Sequence, residues 1–319
     1  MAASDGWRQR MVAVGLPWRF LETVGWKPSE VAEIDLAQLP AHVAANTPAL
    51  LRSHTTDWPP TRWSASTVGE ACGDRTVPVR LMDGETGLPL ASRDTGQKYA
   101  VEKLPIVEAM AELERVASVG GHARWYLAQL QLRHELPELA HEARPPPEAL
   151  SCLGLLSRTS PAAYFGVGNC TPLHFDVPEN LLCVVRGRKD VRLWHPALGD
   201  ALVGDGRDKS IVVEAPWTTL YSGDVLYIPS CWWHEVSCPP SELSISISYW
   251  ADSPHGKMEA RNLEEEIESS GDSASIGRAA QLNDAVTSGS GGQESRDGTE
   301  TAMRWELEAL MTSDKATTK

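Results

Sequence analysis

The rhythm of apolar and polar positions changes several times along the chain, and each change predicts a different kind of element. From Thr47 the text reads as short β structure. PALLR (Pro48 to Arg52) is a compact apolar run, TTDWPPTRW (Thr55 to Trp63) is a proline-rich loop, and RTVPVRLM (Arg75 to Met82) alternates with the period of two that a strand requires. Residues 103–142 switch to helical spacing, with Ile106, Met110, Leu113 and Val116 on one stripe. The segments LPIVEAMAELERVA and ARWYLAQLQLRHELPELA predict two helices broken at Gly120 and Gly121, and Arg144-Pro145-Pro146-Pro147 ends the helical text. Residues 160–250 return to short strands separated by Gly, Pro and Asp: AYFGVG, LLCVVRG, KDVRLWHP, KSIVVEA, DVLYIP, HEVSC and LSISISYW. Ser244 to Ser248 alternates polar and apolar without a fault, the pattern of a half-buried strand. Many short strands with no βαβ alternation predict a mainly β fold with flanking helices, a sandwich or barrel rather than a doubly wound sheet.

These shifts divide the chain into a lead-in over 1–45, a main domain over 46–252 with a helical insert at 103–142, and an acidic extension over 253–319. In the extension, Met258 to Ile267 and Ala302 to Met311 read as helices, and the Ser-, Gly- and Asp-rich text between them reads as flexible. Residues 252–319 hold 14 acidic and 7 basic side chains, half of the net charge of −14, so the main domain is less acidic than the whole. Even so, a chain of this sign does not suit broad neutralisation of nucleic-acid phosphates.

Six cysteines, Cys72, Cys152, Cys170, Cys183, Cys231 and Cys238, form no C-x-x-C pair, which suits a reducing compartment. The first residues lack an uninterrupted apolar stretch, and no run of about 18 apolar residues occurs. A cytoplasmic or nuclear protein without a membrane partner is the expectation.

The chemistry concentrates in two segments. Thr171 to Asp176 (TPLHFD) places His174 and Asp176 two apart, which on a strand puts both side chains on one face. A lone H-x-D is weak, because nine histidines and 43 acidic residues in this length supply about one H-x-D or H-x-E by chance. Ser222 to His234 (SGDVLYIPSCWWH) supplies the context: a Gly-Asp turn feeds a strand, Pro229 ends it, and His234 follows. Brought together by a rolled sheet, two imidazoles and one carboxylate make a facial triad that suits non-haem Fe(II) and leaves coordination positions open. A structural zinc site wants a closed four-ligand shell, usually with cysteine.

Over about 160–250 the text TPLHFDVPENLLCVVRGRKDVRLWHP followed by GDVLYIPSCWWHEV resembles the JmjC-type 2-oxoglutarate oxygenases. It is most similar to their small cupin-like members, such as the asparaginyl hydroxylase of hypoxia-inducible factor and the tRNA wybutosine hydroxylase. The resemblance implies a double-stranded β-helix (cupin or jelly-roll JmjC domain) that uses Fe(II), 2-oxoglutarate as co-substrate and O2. It carries His174, Asp176 and His234 over as iron ligands, and Thr171 and Lys189 as the partners of the co-substrate's distal carboxylate. Asn180 and Tyr126 match further pocket positions. Ser248 stands where the asparaginyl hydroxylase has an Asn, a shorter hydrogen-bonding group.

The implied activity is hydroxylation, with succinate and CO2 as co-products, and a protein side chain is the expected substrate because the acidic balance disfavours RNA and no reader domain that would support a chromatin-directed demethylase is seen. A tRNA base is the alternative substrate, and a non-catalytic cupin-like scaffold is the alternative outside the enzyme class. The resemblance also includes members that pair through helices after the barrel, so a homodimer through C-terminal helices enters as an option. Trp232 and Trp233 read first as packing at a barrel rim, His195 as a loop residue, and Glu264, Glu265, Glu266 and Glu268 as a solvated helix face.

Overall fold

The computed structural model describes residues 30–91, 99–143, 147–153, 161–199, 202, 215 and 217–251. Thirteen strands build two sheets among these residues. The larger has nine strands in the order β1 (Ala32–Glu33), β2 (Ala49–Leu51), β11 (Val225–Ile228), β8 (Glu179–Arg186), β13 (Ser244–Ala251), β6 (Ala162–Gly166), β5 (Trp125–Gln131), β3 (Thr76–Leu81) and β4 (Val101–Pro105). The smaller runs β10 (Thr218–Tyr221), β9 (Arg188–Trp194), β12 (Trp233–Ser237) and β7 (Cys170–His174). From β6 onward the chain crosses between the sheets repeatedly: β6, β8, β11 and β13 lie in the large sheet, and β7, β9, β10 and β12 in the small one. That winding is the double-stranded β-helix, and every pair in it is antiparallel.

Side-chain alternation explains how one strand serves two cores. Along β8, Leu181, Cys183 and Val185 enter the core shared with the flanking helices, while Leu182 and Val184 face the small sheet. β11 divides likewise, with Val225 and Tyr227 on the helix side and Leu226 and Ile228 between the sheets. A strand buried on both faces needs a continuous apolar run, and LLCVV and VLYI provide it. Each large side chain so buried contributes roughly 1.5–3 kcal/mol.

Helix α1 (Leu39–Ala44) precedes β2. Helix α2 (Ala65–Cys72) starts at Ser64, whose hydroxyl accepts from the Thr67 amide while Thr67 returns a bond to the Ser64 backbone. Helix α3 (Ile106–Val119) buries Ile106, Ala109, Met110, Leu113 and Val116 as its spacing predicts, and it ends at Gly120, whose φ of 79° suits glycine.

Two expectations need correction. The text ARWYLAQLQLRHELPELA is not one helix: Trp125–Gln131 is strand β5, held between β3 and β6, and only the short helices α4 (Leu132–Glu135) and α5 (Pro137–Ala140) follow it. The misleading signal has a physical origin. A bulge in β5 between Leu127 and Leu130 inserts an extra residue, so both leucines, three apart, reach the same core and mimic helical spacing. LSISISYW, in turn, is buried on both faces rather than half-buried. Its isoleucines enter the helix-side core, and its serines face the interior between the two sheets instead of solvent.

β4 and β10 have no counterpart in the expected elements. Residues 1–29, most of KSIVVEA and residues 252–319, including both expected C-terminal helices and any dimer they would form, lie outside the described residues.

Candidate metal centre and co-substrate pocket

His174 closes β7 and His234 is the second residue of β12, and the two are direct cross-strand partners with ring centroids 4.1 Å apart. Partners on adjacent antiparallel strands share a face, so register alone aims both imidazoles into the barrel. Each ring is fixed in the same way: Nδ1 of His174 donates to the Pro172 carbonyl at 2.8 Å, and Nδ1 of His234 donates to the Trp232 carbonyl at 2.9 Å. With Nδ1 protonated, Nε2 of each ring carries the lone pair a metal needs.

Asp176 reaches the same point by another route. β7 stops at His174, so the strand period expected to align the two residues does not operate at Asp176. The turn after the strand brings it in, anchored where the Cys231 amide donates to the Asp176 carbonyl at 2.8 Å; Cys231 itself has a φ of 62°, unusual for a residue with a side chain. The indole Nε1 of Trp250 donates to Asp176 Oδ2 at 3.3 Å and sets the carboxylate's direction. Asp176 Oδ2 lies 3.9 Å from His234 Nε2, and one ligand atom from each of the three residues falls within 4.8 Å of the others. Two imidazoles and one carboxylate without cysteine fit divalent iron, and they fill only part of its coordination sphere.

Thr171 is an odd three residues from His174, a spacing that would put the two on opposite faces of a regular strand. A register shift opposite His234 and Val236 places an extra residue in β7, so Thr171 pairs with Val236 and returns to the interior face. Pro172 sits within that irregular stretch, where a missing N–H is tolerated. Lys189 lies on β9 four residues before Leu193, the cross-strand partner of His234, and so faces the same interior. Only 2% of its surface is exposed, no carboxylate pairs with it among the described residues, and its Nζ stands 5.9 Å from the Tyr126 ring centre.

The remaining expected residues line the facing wall. Asn180 pairs with Trp250 across β8 and β13, and its Oδ1 is buried without a hydrogen-bond partner. Ser248 pairs with Leu182 and Ala162 on the same face. Tyr126 is buried on β5, accommodated by Gly166, where a Cβ would lie 2.9 Å from the Tyr126 ring and 2.7 Å from Asn169 Oδ1. Trp232 and Trp233 pack as rim residues: Trp232 Nε1 donates to the Asn46 carbonyl, and Trp233 meets Phe175 edge-on. His195 meets Trp232 edge-on and accepts from the Ala197 amide, and burial lowers its pKa.

The sequence reading missed several interior residues. Ser244 and Ser246 are fully buried on the Ser248 face, and neither hydroxyl has a partner. Tyr164 pairs with Ser246, and its ring lies 6.2 Å from that of Tyr126. Burial, then Tyr126 and Asp176, hold the Tyr164 hydroxyl pKa well above 10, while Arg80 and a hydrogen bond with Gln129 act in the opposite direction. The alternation of AYFG could have placed Tyr164 on the face of Gly166; nothing in the sequence ties Arg80 or Gln129 to it. Buried polar atoms without partners are rare in folded proteins, and their concentration on one interior wall beside a buried ammonium fits a polar, anionic co-substrate.

A family model for the cupin-like domain matches residues 36–211 and 211–257. Among curated proteins, lysine-specific demethylase 8 of Xenopus tropicalis is 30% identical over 230 residues, covering 64% of this chain and 47% of that protein. The human bifunctional peptidase and (3S)-lysyl hydroxylase JMJD7 is 26% identical over 279 residues, 70% of this chain and 85% of that protein. The tRNA wybutosine-synthesizing protein 4 of Aspergillus oryzae is 29% identical over 129 residues, 12% of its length. The chain spans about half the length of the lysine-specific demethylase 8 relatives. With its double-stranded β-helix and its His-Asp-His cluster, the chain belongs to the cupin-like, JmjC-type oxygenase family.

Proposed function

We propose that the chain is an Fe(II)- and 2-oxoglutarate-dependent dioxygenase that hydroxylates a protein side chain. The observation that carries this reading is the convergence of His174, Asp176 and His234 on one interior point, with the buried Lys189, which has no carboxylate partner among the described residues, on the same wall. His174, Asp176 and His234 would hold the metal. Thr171 and Lys189 would hold the distal carboxylate of the co-substrate, as a hydroxyl and an ammonium suit a buried anion. Tyr126, Asn180 and Ser248 would complete the pocket. When bound, iron and 2-oxoglutarate supply the oxidising chemistry, in which O2 is consumed, succinate and CO2 leave, and one oxygen atom enters a substrate C–H bond.

The chain's own contribution is geometric and dielectric. Leu182, Val184, Val191, Leu193 and Leu226 keep the interior apolar and exclude water. The carbonyls of Pro172 and Trp232 fix the imidazole tautomers, and Trp250 orients the carboxylate.

A protein substrate is favoured because a relative of which the chain spans 85% is named a lysyl hydroxylase. Demethylation is a second reading, favoured by the names of the demethylase relatives; it is the same C–H oxidation directed at an N-methyl carbon. No helix among the described residues is long and apolar enough to cross a membrane.

The test uses 2-oxoglutarate labelled at its 1-carboxyl. Iron-dependent release of labelled CO2 by the wild-type chain, abolished in Asp176→Ala, is the expected result. Release that persists in Asp176→Ala, or no release under any iron loading, contradicts the proposal. Formaldehyde from methylated peptides would separate demethylation from hydroxylation.

A further inference from the structure

Beyond the co-substrate pocket, the large sheet continues through β5, β3 and β4, and its pocket-side face carries a cation that the reaction above does not use. Arg80 on β3 is the cross-strand partner of Tyr126 on β5, so it projects from the same face that Tyr126 presents to Lys189 and Tyr164. Its guanidinium is held on two sides. One terminal nitrogen donates to Gln129 Oε1 at 2.6 Å, and the guanidinium carbon stands 4.7 Å from the Tyr99 ring centre. Gln129 is the bulge residue of β5 and has a φ of 58°, a left-handed conformation that a residue with a side chain adopts only against strain. The strain thus places an amide where it grips Arg80, beside the pocket face that carries Tyr126 and Tyr164.

Arg80 is half-buried, and no carboxylate pairs with it among the described residues, whereas Arg52, Arg75, Arg115, Arg188 and Arg192 all have acidic partners. A guanidinium offers five N–H donors in a planar fork, of which Gln129 takes one. A half-desolvated cation that is oriented in advance and has no counter-charge among the described residues is complementary to a planar anion from outside.

We infer that Arg80 is a specificity-determining residue that binds a carboxylate of the substrate, an Asp or Glu side chain close in sequence to the residue that is oxidised. The inference rests on the proposed oxygenase reading for the word substrate, but the anion subsite itself stands on the placement of Arg80. A net charge of −14 disfavours acidic peptides at long range, so their selection requires a local cation such as this one.

The experiment uses the full chain and an array of random ten-residue peptides matched in length, half containing Asp and Glu and half containing Asn and Gln in their place. Wild type is expected to bind the acidic set about tenfold more strongly at low salt. Arg80→Gln is expected to lose that preference, and Arg80→Lys, which keeps the charge without the fork, to keep part of it. Isothermal titration of 2-oxoglutarate into the metal-loaded Arg80→Gln variant checks that the pocket is intact. Equal binding of the two peptide sets by wild type, or an acidic preference unchanged in Arg80→Gln, overturns the inference while leaving the oxygenase reading untouched. An Arg80-dependent acidic preference in a chain that takes up no 2-oxoglutarate upholds the subsite and overturns the oxygenase reading.

Discussion

Replacing Lys189 with methionine separates a ligand-binding role from a structural one, because the two predict changes of opposite sign. Methionine has nearly the same length, and Lys189 is 2% exposed with no carboxylate partner among the described residues. The ligand-free protein therefore loses a buried charge and keeps its packing, so its unfolding free energy is expected to hold or rise, by up to about 2 kcal/mol. Co-substrate binding moves the other way. A hydrogen bond to a charged partner is worth roughly 1.5–3 kcal/mol, which corresponds to about a 10- to 150-fold loss of affinity. At a concentration of 100 times the wild-type Kd, ligand stabilises wild type by about 2.7 kcal/mol, while a hundredfold weaker variant gains only about 0.4 kcal/mol. For a domain of this size that is a Tm rise of roughly 5–11 °C against about 1–2 °C. Differential scanning fluorimetry of the metal-loaded proteins under argon, with and without 2-oxoglutarate, reads both effects. A variant that is destabilised without ligand yet keeps the full ligand-induced shift refutes the assignment of Lys189.

Two further outcomes follow from the packing. Gly166→Ala forces a methyl group to within 2.7 Å of Asn169 Oδ1 and 2.9 Å of the Tyr126 ring, both buried, and is expected to cost about 1–3 kcal/mol in urea unfolding; a change below about 0.5 kcal/mol would show that this wall yields freely. Burial, reinforced by Glu138, pushes the Cys72 thiol up to about 11 from 9, so above pH 9 the unfolded chain releases this proton and the folded chain keeps it. That contribution to stability is complete below pH 9 and is lost as pH rises towards 11; urea midpoints measured across this range should fall less steeply in Cys72→Ala, and parallel slopes would exclude Cys72 as a source.

What the sequence disclosed, and what it hid, follow from how strands carry information. TPLHFD is legible because it sets two metal-ligating residues two apart, and SCWWH because its histidine follows a Gly-Asp turn and a strand. Lys189 and Asn180 were visible only through resemblance, since a lysine at the start of a strand beside Arg186, Arg188 and Arg192 is by itself unremarkable. β5 carries a helical signal because its bulge makes Leu127 and Leu130 face one core three residues apart, and a single sequence cannot distinguish that from a helical turn. The alternation of β13 reveals two faces without saying which is wet, so it cannot place Ser244 and Ser246 in the interior, and Ser248 enters the pocket only through the resemblance. Arg80, Gln129 and Tyr164 come from three strands, and only the register of β3, β5 and β6 brings them together.

The most direct test of the central claim is anaerobic titration of 2-oxoglutarate into the Fe(II)-loaded chain, following the weak metal-to-ligand charge-transfer absorption in the visible, with His174→Ala as the control for the metal. The account predicts a saturable band in wild type that is absent in His174→Ala. Iron uptake by wild type without any such band would contradict it, leaving a cupin fold that binds metal without this co-substrate.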